Sequence, residues 1–219
     1  MVEANIAKGY KFMVITDHSQ SLKVANGLQV ERLLRQNEEI KKLNEEYDEI
    51  DIYSGTEMDI LPDGSLDYDN EVLAQLDYVI AAIHQSFNQS EDEIMKRLEV
   101  ACKNPYVRHI AHPTGRIIGR RPGYKPNIEK LMKLAEETNT ILEINANPKR
   151  LDLNAETVRK YPNVKLTINT DAHHTNHLEF MKYGVATAQK GFVAKDRVVN
   201  ALSREEFKSL IENNIKLRK

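Results

Sequence analysis

The chain has 219 residues, 41% hydrophobic and 29% charged, which suits one sizeable α/β domain in a soluble protein. Thirty-one Lys and Arg against 33 Asp and Glu leave a formal charge of −2, so no global polycation exists to hold nucleic acid nonspecifically and any attraction to phosphate must be local. A single cysteine, Cys102, excludes an intrachain disulfide and points to a reducing, cytoplasmic setting, and no apolar run approaches the roughly 20 residues that cross a bilayer.

Residues 1–10 read as a short helix with Val2, Ile6 and Ala7 on one face and Gly9 as its stop. A strand follows at once over 12–16. Apolar Val30, Leu33, Leu34, Ile40 and Leu43, set among charges, predict a long helix over 30–46. Residues 52–57 read as a strand ending in a Pro62-Asp63-Gly64 turn, 70–75 as a brief helix and 78–84 as a strand. Next comes a helix over 91–103 that turns Ile94, Leu98 and Ala101 inward and carries Cys102 as a packing residue. The alternation continues with strand 107–112, helix 128–137, strand 141–145, helix 155–161 and strand 165–170. Helical segments over 178–191 and 203–214 finish the chain, the last opened by a Ser203/Glu206 capping box.

Six strands alternating with helices imply parallel pairing through right-handed crossovers, in an open sheet or a barrel. The strand ends favour the barrel. Asp17-His18 follows the first strand, Glu57 lies at the end of the second, His84 ends the third, His112 the fourth, and Asp171 with His173 the sixth. Imidazoles and carboxylates hold Zn, Mn or Fe, and a barrel brings successive strand ends to one rim, whereas an open sheet spreads them over a wide front. Four His and two carboxylates so placed would repel one another and resist desolvation unless a cation held them together. An opening helix with no strand before it is anomalous, because a crossover helix links two parallel strands. An upstream strand is therefore expected to be missing.

Other polar residues carry less. His109 alternates with His112 and reads as structural; His174 and His177 read first as solvent-exposed and otherwise as supports for the Asp171-x-His173 ligands, and Asp59 and Asp63 read as shaping the turn after Glu57 rather than binding metal. Tyr10, Tyr47 and Tyr106 read as packing residues, Asn26-Gly27 as a loop turn, and the few aromatics offer no evident platform for stacking single-stranded bases. Arg116, Arg120, Arg121 and Lys125 share one Gly- and Pro-bearing loop directly after His112, which places positive charge beside the proposed cluster. Lys149 and Arg150 form a second candidate for phosphate recognition.

Over essentially its whole length the sequence resembles the polymerase and histidinol phosphatase (PHP) family. Asp17-His18, Glu57, His84, His112-Pro113 and Asp171-x-His173 look like that family's second and later metal motifs in order. The stretches at 21–28, 115–123 and 143–146 resemble the PHP domain on the C-terminal side of bacterial family X DNA polymerases. The resemblance implies a distorted seven-stranded α/β barrel, (β/α)7, that here lacks its first strand. It also implies a centre of up to three divalent ions, manganese or zinc. Carried over by motif, Glu57 would bridge two metals, His84 and His112 would complete one site with it, Asp171 would share another, and His18 with His173 would hold the third. Glu57, His112 and Asp171 form the implied catalytic set. The family's opening His-x-His strand has no counterpart, so 1–219 is expected to be a single, N-terminally truncated PHP domain without its polymerase, holding fewer than three ions.

Divalent ions bind phosphate oxygens, lower the pKa of bound water and stabilise a leaving oxygen, which suits phosphoester hydrolysis. The resemblance implies 3′-5′ exonuclease or related processing of DNA 3′ ends for an attached repair polymerase, impaired in this chain. Two alternatives stand beside it: a small-molecule phosphatase of the histidinol phosphatase kind, and an inactive module that binds metal weakly or docks a polymerase.

Overall fold

A computed structural model describes residues 1–213; position 214 of the predicted last helix lies outside the described residues. In chain order the elements are α1 (Val2–Ala7), β1 (Phe12–Ile15), α2 (Val30–Glu46), β2 (Asp51–Asp59), α3 (Asn70–Leu73), β3 (Tyr78–Ala82) and α4 (Glu91–Lys103). They continue with β4 (Val107–Ile110), α5 (Ile128–Glu137), β5 (Ile141–Asn145), α6 (Ala155–Lys160), β6 (Leu166–Asn169), α7 (Met181–Lys190) and α8 (Arg204–Asn213). The six strands are all parallel and lie side by side in sequence order, β1 to β6. They curl as part of a barrel wall, and among the described residues no ladder joins β6 back to β1. The wall is open at that seam.

Strand pleat divides the apolar residues of the central strands between two cores, and a third, smaller cluster of Ile40, Ile50 and Ile52 joins α1 and α2 to β1 and β2. On β3 and just past its end, Val79, Ala81 and Ile83 face outward and pack with Met58, Ile94, Leu98, Leu131, Leu142 and Leu166 under the helices. Tyr78, Ile80 and Ala82 face inward, beside Ala111, Ile141, Val199 and Phe207. Phe207 of α8 stacks on Phe12 with ring centroids 4.0 Å apart and also meets Tyr53 and Tyr78. Arg108 holds α8 by donating to the Leu210 and Ile211 carbonyls, each at 2.9 Å. Because Phe12 and Tyr78 open their strands, α8 fills the amino end of the curled sheet and leaves the carboxyl end for chemistry.

Most elements lie where the pattern places them, with three departures. Ala7 is exposed, and Asn5 is the buried residue of α1. The segment after His174 opens as a 3-10 turn over Thr175–Phe180 before α7. Strands β3 and β4 stop at Ala82 and Ile110, so His84 and His112 sit two residues past the ladders. The capping box at Ser203 forms as expected, through Ser203 N–H on Glu206 at 2.8 Å and Glu206 N–H on the Ser203 hydroxyl at 3.2 Å. No helix among the described residues is long and apolar enough to cross a membrane.

Candidate metal centre

The last residues of β2 bring Glu57 to the carboxyl rim, where it is 9% exposed. Its Oε1 lies 2.8 Å from His112 Nε2 and 3.1 Å from His84 Nε2, and its Oε2 lies 3.8 Å from His18 Nδ1. Ligand atoms of His18, Glu57 and His84 fall within 4.8 Å of one another, close enough to share an ion. His112 reaches Glu57 through a left-handed backbone, φ 31°, and Asp171 likewise sits at φ 54°. Non-glycine residues rarely adopt positive φ, and here two of them turn candidate ligands off strand ends toward the rim.

The donor set fits a metal ion. His18 Nδ1 is buried with no hydrogen-bond partner 3.8 Å from one Glu57 oxygen, and the Nε2 atoms of His84 and His112 face the other. Buried polar atoms are normally satisfied, so an orphaned imidazole nitrogen beside a buried carboxylate is what a cation would resolve. Burial lowers the His18 pKa against the pull of Glu57, which keeps its ring neutral and ready to ligate. Burial would also raise Glu57 and lower His84, but their hydrogen bonds win. Glu57, bonded to His112 and His84, is held well below the carboxylate range, and His84, bonded to Asp59 and Glu57, is raised to about 9.

Beneath these ligands runs a buried polar network. Glu143, 3% exposed, accepts from the His112 backbone N–H at 2.7 Å, Asn145 Nδ2 at 3.1 Å and Asn169 Nδ2 at 3.1 Å. Asn145 Nδ2 also donates to Asp171 at 3.2 Å, so the network joins the ends of β4 and β6. Burial and the charges of Asp171 and Glu57 push the Glu143 pKa up to about 8. His109, 0% exposed, bonds Thr167 Oγ1 at 2.9 Å, consistent with the structural role expected of it.

The seam side of the centre is looser. His173 has a side chain 64% exposed, its Nδ1 lies 3.6 Å from Asp171 Oδ1, and its ring is 6.0 Å from that of His18. His177, read first as solvent-exposed with support of the neighbouring ligands as the alternative, takes the second role: it is half-buried, stacks on Phe180 at 4.9 Å and accepts the His173 N–H at 3.3 Å. It braces the Asp171-x-His173 turn.

The proposed substrate cations divide into two groups. Arg116 donates from Nε to the Arg150 carbonyl at 2.8 Å and from Nη2 to the Leu151 carbonyl, and Arg121 donates to the Gly115 carbonyl at 2.9 Å while its guanidinium lies over Phe87. Both tie the loop after β4 in place. Arg120, Lys125 and Lys149 are exposed. Arg150 sits at the centre itself, with Nε 3.3 Å from Asp171 Oδ2 and Nη1 buried without a hydrogen-bond partner.

Pattern reading missed Glu143 and the reach of the Asp59 side chain. Asp63 shapes its turn, accepting from Ser65, and the Asp59 carbonyl closes it on the Asp67 N–H at 3.2 Å, but the Asp59 carboxylate is also buried, 1% exposed, against His84. Glu143 carried a usable signal, as a lone charge inside an otherwise uncharged buried strand.

No family model matches the chain. It is 56% identical over 216 residues to the DNA polymerase/3′-5′ exonuclease PolX of Bacillus subtilis (strain 168), covering 98% of this chain and 38% of that protein. The resemblance to PHP domains is borne out. A probable phosphatase of Thermoanaerobacter sp. (strain X514) is 28% identical over 205 residues, covering 88% of this chain and 79% of its own length. The histidinol phosphate phosphatase of Lactococcus lactis subsp. lactis Il1403, crystallised with zinc, L-histidinol and phosphate, superposes with a TM-score of 0.61 at 18% identity, over 88% of this chain and 86% of the other. That likeness shows a shared fold. The PHP-type chain thus spans well under half of its polymerase relative.

Proposed function

We propose that this PHP-type domain is a metal-dependent phosphoesterase that acts on DNA 3′ ends, as a 3′-5′ exonuclease or end-processing unit serving a family X polymerase in the cytoplasm. The observation that carries the reading is the juxtaposition at the carboxyl rim. Glu57 gathers His18, His84 and His112 on one side, and the partly exposed side chain of Arg150 lies beside Asp171 on the other. A divalent ion and a fork of N–H donors together suit a phosphoester's oxygens.

His18, Glu57, His84, His112, Asp171 and His173 would hold the metal, manganese or zinc. When bound, the ion supplies a Lewis acid and a hydroxide near neutral pH. The chain's own residues do the rest. Glu57 and the three imidazoles fix where that charge sits, Arg150 orients a phosphate oxygen against it, and Glu143 with Asn145 holds His112 and Asp171 in register. Exposed Arg120, Lys125 and Lys149 would meet the nucleic-acid backbone further out. Six candidate ligands, at about three protein donors per catalytic zinc ion, point to fewer than three ions held by these residues.

Similarity to the Bacillus subtilis polymerase/exonuclease supports DNA as the substrate class. The test is incubation of the purified chain, loaded with manganese or zinc, with 3′-labelled DNA and separately with histidinol phosphate. Release of 3′ nucleotides is expected. Turnover of histidinol phosphate alone would favour the small-molecule reading, and metal binding without either reaction would mark an inactive module.

A further inference from the structure

Asp59 ends β2 two residues beyond Glu57, is 1% exposed and takes no part in the ligand set above. Its Oδ1 lies 2.5 Å from His84 Nδ1, and its Oδ2 accepts the Ser21 hydroxyl at 2.8 Å. Its backbone N–H donates to Ser19 Oγ at 2.8 Å. Ser19 and Ser21 belong to the loop at 19–28 that leaves the candidate ligand His18. Elsewhere the loop is closed by Leu28 N–H on the His18 carbonyl at 2.8 Å and Ser21 N–H on Asp67 at 2.8 Å. At its apex Val24 is 97% exposed, beside Lys23. A solvent-facing loop is therefore bonded, through one hydroxyl and one carboxylate, to a residue that faces Glu57.

Geometry decides what that contact does. An imidazole whose Nδ1–H is held by a carboxylate has one orientation and one free lone pair, on Nε2. For His84, Nε2 is the atom 3.1 Å from Glu57 Oε1, and a metal bound there would displace the proton it shares with that carboxylate. Without Asp59 the ring could rotate or present Nδ1 instead, and a ligand built for one site would lose its aim. We propose that Asp59 is a positioning residue that aims His84 at the metal. Through Ser21 it makes the 19–28 loop part of the same bonded unit. The positioning role rests on metal binding alone.

Zinc titration by calorimetry, with NMR of the His84 ring proton in the zinc-loaded chain, tests this. Asp59→Ala is expected to weaken zinc binding by about 10- to 100-fold, the usual effect of losing such a partner, and to move the His84 Nδ1–H signal away from its carboxylate-bonded position. Asp59→Asn, which keeps an acceptor and loses the charge, should fall between Asp59→Ala and the parent. Ser21→Ala should weaken zinc binding by a few-fold with the fold intact. A role confined to stability would lower the melting temperature of these variants and leave zinc affinity and the ring signal of the folded fraction unchanged. That result overturns the proposal. If Asp59→Ala does not fold, parent-like zinc binding in both Asp59→Asn and Ser21→Ala overturns it equally. A parent chain that binds zinc but hydrolyses no phosphoester would remove the proposed function and leave this measurement standing.

Discussion

His112 Nε2 lies 2.8 Å from the same Glu57 oxygen that His84 Nε2 approaches at 3.1 Å. One carboxylate oxygen thus ties the ends of β3 and β4 to the end of β2, in a place where burial penalises an unmatched charge. Glu57→Gln keeps the shape and removes the charge. Breaking a buried charged contact costs roughly 3 kcal/mol or more, so manganese or zinc affinity should fall about a hundredfold or further. Calorimetric titration beside a circular dichroism spectrum would show it. Parent-like affinity in Glu57→Gln would mean that the gathered imidazoles do not form a metal centre.

Arg150 gives a second, separable expectation. Its Nε contacts Asp171 at 3.3 Å while Nη1 is buried and unpartnered, and a hydrogen bond to a charged group contributes about 1.5–3 kcal/mol. Arg150→Ala should therefore raise KM for a phosphoester by roughly ten- to a hundredfold while bound metal stays near the parent level. Arg150→Lys should recover little, because an ammonium cannot reproduce the planar fork. Steady-state kinetics with parallel metal analysis separates the two effects. Loss of metal in Arg150→Ala would instead place Arg150 as a support for Asp171.

What could be read in advance follows from which signals are local. Helices α2, α4 and α5 and strand β5 fall on the predicted bounds, because periodicity and caps are written within each segment. The strand-end positions of Glu57, His84 and His112 were equally legible, since a polar residue closing an apolar run stands out. The partners of those residues were not. Asp59 sits beside a turn and looks like a turn former until His84, 25 residues on, is seen against it. Arg116 looked like a phosphate ligand because its loop is basic, and only folding shows its guanidinium on the Arg150 and Leu151 carbonyls. Both facts depend on contacts across the rim between separate strands, which no spacing within one segment encodes.

The exposed cations test whether the substrate is nucleic acid. Neutralising one phosphate contact lowers the slope of log affinity against log salt by about one unit on duplex DNA. Arg120→Ala, Lys125→Ala and Lys149→Ala, each exposed, should therefore weaken binding of a DNA end at low salt and flatten its salt dependence by up to that amount. Arg116→Ala should behave differently, loosening the loop after β4 and lowering thermal stability, since it leaves two carbonyls without donors. Anisotropy titrations at several salt concentrations would distinguish these. Unchanged slopes in all three exposed variants would remove that surface from the DNA path.

His109 predicts a pH effect on stability. Burial drives its pKa down to about 3 against the opposing pull of Glu57, far under the ordinary value of 6.5. Between those two values the unfolded chain binds a proton at this ring and the folded chain does not. Its contribution to stability is therefore complete above pH 6.5 and is lost as pH falls toward 3, by at most about 1.4 kcal/mol per pH unit. His109→Gln can still meet Thr167 and has no such titration. Urea unfolding at pH 7, 6, 5 and 4 should show the parent's stability advantage over His109→Gln shrinking steadily below pH 6.5. An advantage that stays constant over that range would mean that His109 takes up its proton within the folded protein.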